Sequence, residues 1–158
     1  MLLLALAVAA CGGSTKSGPT KAEYVAKLDA ICKTAAEKTA PLLKQLEADA
    51  PAILSGNASR GREVAPVVQH LHEYGVSILS QLRALKQPKG EKAAIERFLS
   101  PLTNVVSAAG AAATSLSSGQ VTGTLGLLEQ VETQAGQAGS AATAYGAGPC
   151  GSVVSLPS

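Results

Sequence analysis

From Thr20 onward apolar side chains recur at steps of three and four, the period of an amphipathic helix, and no stretch alternates with the period of two that a strand needs. Thr20 with Glu23 makes a capping-box pattern, which predicts a first helix opening at Lys21. Along it Tyr24, Leu28, Ile31, Ala35, Leu42 and Leu46 share one face, Pro41 predicts a kink, and Asp49-Ala50-Pro51 predicts a weakening near the end. Ser55-Gly56-Asn57 breaks the pattern. A second helix starting at Ser59 or Arg60 carries Val64, Val67, Val68, Leu71, Ile78, Leu79, Leu82 and Leu85 in one stripe, and Lys86-Gln87-Pro88-Lys89-Gly90 reads as a turn. The third presents Ile95, Phe98, Leu99, Leu102, Val105, Val106, Ala109, Ala112, Ala113 and Leu116, with Pro101 as a second kink and Ser117-Ser118-Gly119 as its stop. The fourth presents Val121, Leu125, Leu128, Val131, Ala135, Ala138, Ala142 and Tyr145.

Four amphipathic segments joined by short turns predict an all-α fold, an antiparallel up-down-up-down four-helix bundle over residues 21–146 with shallow crossings, followed by a tail over 147–158. Gly123, Gly126, Gly136, Gly139 and Gly146 weaken the fourth helix, each by about 1 kcal/mol against Ala when interior. Gly136 and Gly139 beside Ala135, Ala138 and Ala142 predict a tight seam that offsets this cost; the competing reading is a fourth helix that frays.

The stretch before the first helix changes the picture from fold to location. Leu2 to Ala10 is an unbroken apolar run of nine residues, too short to span a bilayer, which takes about 20. It fits the hydrophobic region of a signal peptide over residues 1–10. Val8-Ala9-Ala10-Cys11 resembles a bacterial lipobox, in which small side chains beside the cut admit the peptidase and the thiol takes thioether-linked lipid. Two acyl chains on Cys11 would suffice for stable anchoring. No Lys or Arg precedes Cys11, so a start upstream of Met1 is expected. The alternatives are an ordinary cleaved signal peptide cut after Ala7-Val8-Ala9, or a buried apolar N-terminus. Gly12 to Thr20 holds Gly, Ser, Thr and Pro without large apolar residues and reads, with Cys11, as a lipidated tether over 11–20.

With Cys11 assigned to lipid, Cys32 and Cys150 remain, and an even pair in an exported chain most simply forms one disulfide. The bundle topology favours it, because the fourth helix returns Cys150 toward the start of the first. Two separate buried thiols are the alternative, and a redox role has no Cys-x-x-Cys to rest on.

Composition narrows the function classes. The chain has 158 residues, 46% hydrophobic and 15% charged, with 29 alanines, one Phe, three Tyr and no Trp. Aromatic scarcity speaks against base-stacking platforms, and a net charge of +2 against a polyanion binder. No nucleic-acid partner is expected. All 13 Lys and Arg lie between Lys16 and Arg97, whereas Phe98 to Ser158 carries only Glu129 and Glu132. So sparsely charged a last third should pack against the rest, meet a partner or be loosely ordered.

Candidate chemistry is thin. His70 and His72 are the two histidines, and residues two apart on a helix point about 200° away from each other. Helical metal pairs need a spacing of three or four, so these read as solvated flank residues rather than metal or haem ligands. Gly146-Ala147-Gly148-Pro149-Cys150-Gly151 matches a dinucleotide-loop spacing in form, yet it closes a helix where such a loop must open one. Glu129 and Glu132, one turn apart, would form a catalytic pair only if both faced a cleft; exposed glutamates are the plainer reading. Asn57-Ala58-Ser59 is a glycosylation sequon in form alone.

Taken together, the lipobox, the tether, Glu23-Tyr24-Val25-Ala26-Lys27-Leu28-Asp29-Ala30-Ile31-Cys32 and the tail Tyr145-Gly146-Ala147-Gly148-Pro149-Cys150-Gly151 resemble a group of small actinobacterial lipoproteins and secreted proteins of unassigned function. They share an early helix with an aromatic residue before Asp-Ala-Ile-Cys and a late Tyr-Gly-x-x-x-Cys tail. The resemblance covers both ends, implies a helical bundle and a Cys32–Cys150 bridge, and carries no activity, catalytic residue or cofactor. The sequence therefore leads to an expected location, the outer face of a bacterial cytoplasmic membrane, and an expected role, a non-enzymatic binding module meeting an envelope protein or other envelope component. The alternative is a carrier of a small apolar ligand, lipid or haem, held between helices; an enzyme using Glu129 and Glu132 ranks below both.

Overall fold

The computed structural model describes residues 18–154. The apolar run, Cys11 and most of the tether lie outside the described residues, as do the last four residues of the chain. Four long helices run in sequence, α1 over Lys21–Leu54, α2 over Ala58–Ala84, α3 over Lys92–Ser117 and α4 over Val121–Tyr145. A short α5 spans Gly148–Val154, within the stretch over 147–158 expected as a tail, for which the sequence predicts no helix. The expected all-α bundle is the observed architecture, and no strand occurs among the described residues.

Local chemistry sets the helix ends. The capping box forms as predicted: the Glu23 backbone N–H donates to Thr20 Oγ1 at 3.2 Å, and the Thr20 N–H donates to Glu23 Oε2 at 2.8 Å. Asn57 caps α2 by accepting from the Arg60 N–H at 3.0 Å, which gives the sequon-like asparagine a structural job. Gly119 and Gly146 hold φ of 75° and 104°, in the left-handed region that closes a helix cheaply only for glycine. Beyond them the Gln120 and Ala147 N–H groups reach back to Ser115 O and Ala142 O at 2.9 Å each. The prolines do not end helices: α1 continues through Pro41 and Pro51, α2 through Pro66 and α3 through Pro101. Pro41, Pro51 and Pro66 lie on exposed positions, so the helix bond each one forfeits is left on the wet side.

Packing is sequential. Neighbouring helices α1–α2, α2–α3 and α3–α4 make the broad contacts, while α1 and α4 meet only sparsely. The gap between them is closed at one end by α5, which packs on both. The core divides accordingly into two clusters. One, at the end where the described chain begins, joins Tyr24, Leu28, Cys32, Leu79, Leu82, Ile95, Phe98, Leu99, Ala142, Tyr145, Ala147 and Cys150. The other, at the opposite end, joins Ile53, Val64, Ala65, Val68, Ala112, Ala113, Leu116 and Val121.

Close helix approach occurs at places other than the predicted seam. Gly139, Ala135, Ala138 and Ala142 are buried as expected, but Gly136 is exposed, with nothing near the position a Cβ would take. The tight glycines sit elsewhere: a Cβ on Gly61 would lie 3.0 Å from Val121 Cγ2, and one on Gly75 would lie 3.0 Å from Val106 Cγ2. Gly151 of α5 presses within 3.0 Å of Gly139 O on α4 by the same measure. At Gly139 the small residues of the fourth helix thus receive α5.

Candidate functional site

The richest cluster of polar and reactive groups lies at the end where α1 begins. Cys32 and Cys150 form a disulfide, S–S 2.04 Å and Cα–Cα 5.0 Å, across 118 residues of sequence. It fastens α5 to α1, in agreement with the pairing expected from sequence. Beside it the Cys150 backbone N–H donates to the Asp29 carboxylate; burial pushes that carboxyl above its usual value and the Cys150 bond opposes the rise.

Two of the three tyrosines stack here. Tyr24 and Tyr145 meet edge to face with centroids 6.2 Å apart, and Phe98 lies 6.4 Å from Tyr145. Lys21 Nζ sits 4.4 Å over the Tyr145 ring, so a cation closes the aromatic cluster from outside. Burial, reinforced by Tyr145 and Glu96, pushes the Tyr24 phenol to about 12; burial and then Glu91 raise that of Tyr145. The Tyr24 and Tyr145 hydroxyls and Asp29 Oδ1 are buried without a hydrogen-bond partner, each at a cost of about 1–3 kcal/mol.

Surface hollows among the described residues include two along the bundle. One, of about 350 Å³, runs between α1 and α2 and is lined by Ala30, Ile31, Thr34, Lys38, Tyr74 and Ile78 among others, with Lys38 Nζ 5.7 Å from the Tyr74 ring centre. The other, of about 500 Å³, lies between the start of α1 and the α2–α3 turn and is lined by Gly18, Pro19, Thr20, Glu23, Lys27 and Lys86.

The remaining sequence candidates do not converge. His70 is exposed, but His72 is not the solvated flank residue expected of it. Its ring turns onto α3 and Nδ1 donates to Val106 O at 2.8 Å, over Gly110, where a Cβ would come within 2.8 Å of Cε1. Because a carbonyl only accepts, Nδ1 carries the proton. Glu129 and Glu132 are both exposed on α4 and line neither of these hollows. Among the described residues no group of three or more His, Cys, Asp or Glu is placed to hold a metal ion. Cys11 lies outside the described residues.

The sequence marks Asp49 only as part of a weak stretch near the end of α1 and does not foresee its partner. Far from weakening α1, Asp49 is buried at 6% exposure and bridges to Arg60, whose Nε donates to Asp49 Oδ1 at 2.9 Å; Arg60 also pairs with Glu63 at 2.6 Å. The Glu63 and Asp49 carboxylates both raise the Arg60 guanidinium further. An acid followed two residues later by a helix-tolerated Pro gave no hint of a partner 11 residues on.

α4 exposes apolar surface as well as its two charges. Leu125 and Leu128 are 37% and 42% exposed, one turn apart. No helix among the described residues is long and apolar enough to cross a membrane. No protein-family model, curated protein or solved structure matches the chain.

Proposed function

We propose that the chain is an exported, lipid-anchored module of a bacterial cell envelope that acts by binding another envelope component and carries out no catalysis. The observation that carries this reading is the Cys32–Cys150 bridge, since a disulfide between residues 118 apart persists in an oxidising compartment outside the cytosol. Val8-Ala9-Ala10-Cys11 supports the anchor, and the resemblance of both chain ends to small actinobacterial lipoproteins supports the setting. Binding rather than chemistry is favoured by α4, where Leu125 and Leu128 stand in solvent on a helix with only two charges, while Glu129 and Glu132 are exposed and line neither of the two hollows described.

Mass spectrometry of chain extracted from membranes tests the anchor: Cys11 should be N-terminal and acylated, and an unmodified Cys11 overturns it. Photo-crosslinking in intact cells from a probe in place of Leu128 tests binding. A discrete product is expected there and none from a probe at Lys44; equal, diffuse labelling from both sites counts against the reading.

A second reading, carriage of a small apolar molecule, has the α1–α2 hollow in its favour, where Ile31 and Ile78 offer apolar lining and Lys38 a cation. Neither histidine lines it, so its ligand would be lipid-like rather than haem. Native mass spectrometry of protein from its own host separates the readings, because a carrier should retain a reproducible apolar adduct.

A further inference from the structure

The net charge of +2 hides an axial separation that appears only once the helices are folded back on one another. The start of α1, the end of α2, the α2–α3 turn and the start of α3 meet at one end of the bundle: a Cβ on Gly18 would lie 3.7 Å from Gln87 O, and one hollow joins Thr20 and Lys27 to Lys86. That end carries Lys21, Lys27, Arg83, Lys86, Lys89, Lys92 and Arg97, all exposed, against Glu23, Asp29, Glu91 and Glu96. Seven cations against four carboxylates leave +3. Glu23 is engaged in the capping box, and Glu91 and Glu96 are half-buried.

The opposite end has the reverse sign. Lys44, Arg60 and Arg62 face Glu47, Asp49, Glu63, Glu129 and Glu132, three cations against five carboxylates. Both short ion pairs among the described residues are there, on Arg60, whereas at the first end Lys21 lies over the Tyr145 ring, Arg83 donates to Thr103 Oγ1 at 2.8 Å, and no cation is in an ion pair among the described residues. With 34 residues in α1, the two ends stand about 50 Å apart, several Debye lengths.

We propose that the +3 end is a docking face for a membrane surface bearing anionic lipid headgroups. The proposal deepens, and rests on, the lipid-anchored reading of Cys11. Only seven residue steps separate Cys11 from Gly18, a reach of at most about 25 Å, so an anchored chain holds this end and not the other beside the bilayer. Lys16 lies within that short stretch and adds to the charge. Exposed lysines held within a Debye length of phosphate-bearing headgroups bind them without a shaped pocket. The electronegative far end then points away from the anionic surface, so the two ends act together to set orientation.

The test uses the full chain carrying Cys11→Ser, which cannot be acylated, in sedimentation with vesicles. Phosphatidylcholine vesicles record whatever the apolar run Leu2–Ala10 contributes; phosphatidylcholine mixed with phosphatidylglycerol adds the anionic surface. Retention should rise on the mixed vesicles by about tenfold or more, fall as salt is raised, and return to the neutral baseline in Lys86→Glu/Lys89→Glu/Lys92→Glu. All three lysines are exposed and outside ion pairs, and the salt series on the unsubstituted chain stands apart from any effect of substitution on folding. Arg62→Glu at the far end should change nothing. Equal retention on neutral and mixed vesicles, or a loss in Arg62→Glu as large as in the triple variant, overturns the proposal. Mass analysis of Cys11 in native chain reads the anchor separately: unmodified Cys11 with anionic binding intact removes the anchor alone, and acylated Cys11 without anionic binding removes the docking face alone.

Discussion

The two ends of this bundle are held by different means. At the end where α1 begins, α5 and a disulfide close the gap between α1 and α4, and the large side chains Tyr24, Phe98 and Tyr145 fill the interior. At the other end nothing covalent joins the helices; Val64, Val68, Ala112, Ala113, Leu116 and Val121 pack closely, and the Asp49–Arg60 bridge ties α1 to α2. The first end tolerates three buried polar atoms without partners, and it can do so because the crosslink holds it against the cost of desolvating them. The second relies on fit and on that one ion pair, helped by Gly61, whose bare Cα admits Val121 and Leu116.

The comparison breaks most directly at the disulfide. A loop of 118 residues makes Cys150→Ala or reduction cost about 4–5 kcal/mol in the chain-entropy model, read as a lower urea midpoint. Amide exchange should then accelerate first in α5 and the start of α1, with Val64 to Val68 least affected; uniform acceleration would erase the distinction between the ends. Next in size are core truncations, Leu28→Ala at the first end and Leu116→Ala at the second, each costing about 2–5 kcal/mol. Combined with reduction, Leu28→Ala should show a coupling of about 1 kcal/mol and Leu116→Ala essentially none, because only Leu28 shares a cluster with the cysteines.

Smaller effects sharpen it. Gly110→Ala should lose about 1 kcal/mol net, since the new methyl displaces the His72 ring from Val106 O despite better helix propensity. The double change Gly110→Ala/His72→Ala should recover part of that loss, and NMR of the His72 ring gives a second readout. Arg60→Ala should cost less than the core truncations and show its effect only at the α1–α2 end, by leaving Asp49 buried and unpaired. At neutral pH Tyr24 contributes no pH dependence. Its pKa rises from 10.0 unfolded to about 12 folded, so stability is full below pH 10.0 and falls as pH climbs toward about 12. Ultraviolet phenolate titration checks this, and a Tyr24 that ionises near 10.0 in the folded chain contradicts it.

Much of the fold was legible because it rests on short-range signals. Four helices follow from three- and four-residue periodicity, the start of α1 from Thr20 and Glu23, and the bridge from counting three cysteines and expecting export. What escaped depends on a partner far away in sequence. Whether His72 faces solvent is decided by Gly110 on another helix, 38 positions on. Gly136 and Gly139 look alike in sequence, yet α5 packs against Gly139 while Gly136 meets open space. α5 itself opens with Gly-Pro and has only seven residues, too few for periodicity to register. The axial charge separation was within reach of the sequence, since an antiparallel order alone brings Lys21 and Lys27 beside Lys86 to Lys92. It was hidden by counting charge along the chain instead of by bundle end.

The 118-residue span of the bridge also orders assembly in time. Synthesis supplies Cys32 early, and it stays a bare thiol until almost the whole remaining chain has followed. Any product cut short before Cys150 keeps that thiol, so a free Cys32 sulfhydryl distinguishes an unfinished molecule from a finished one.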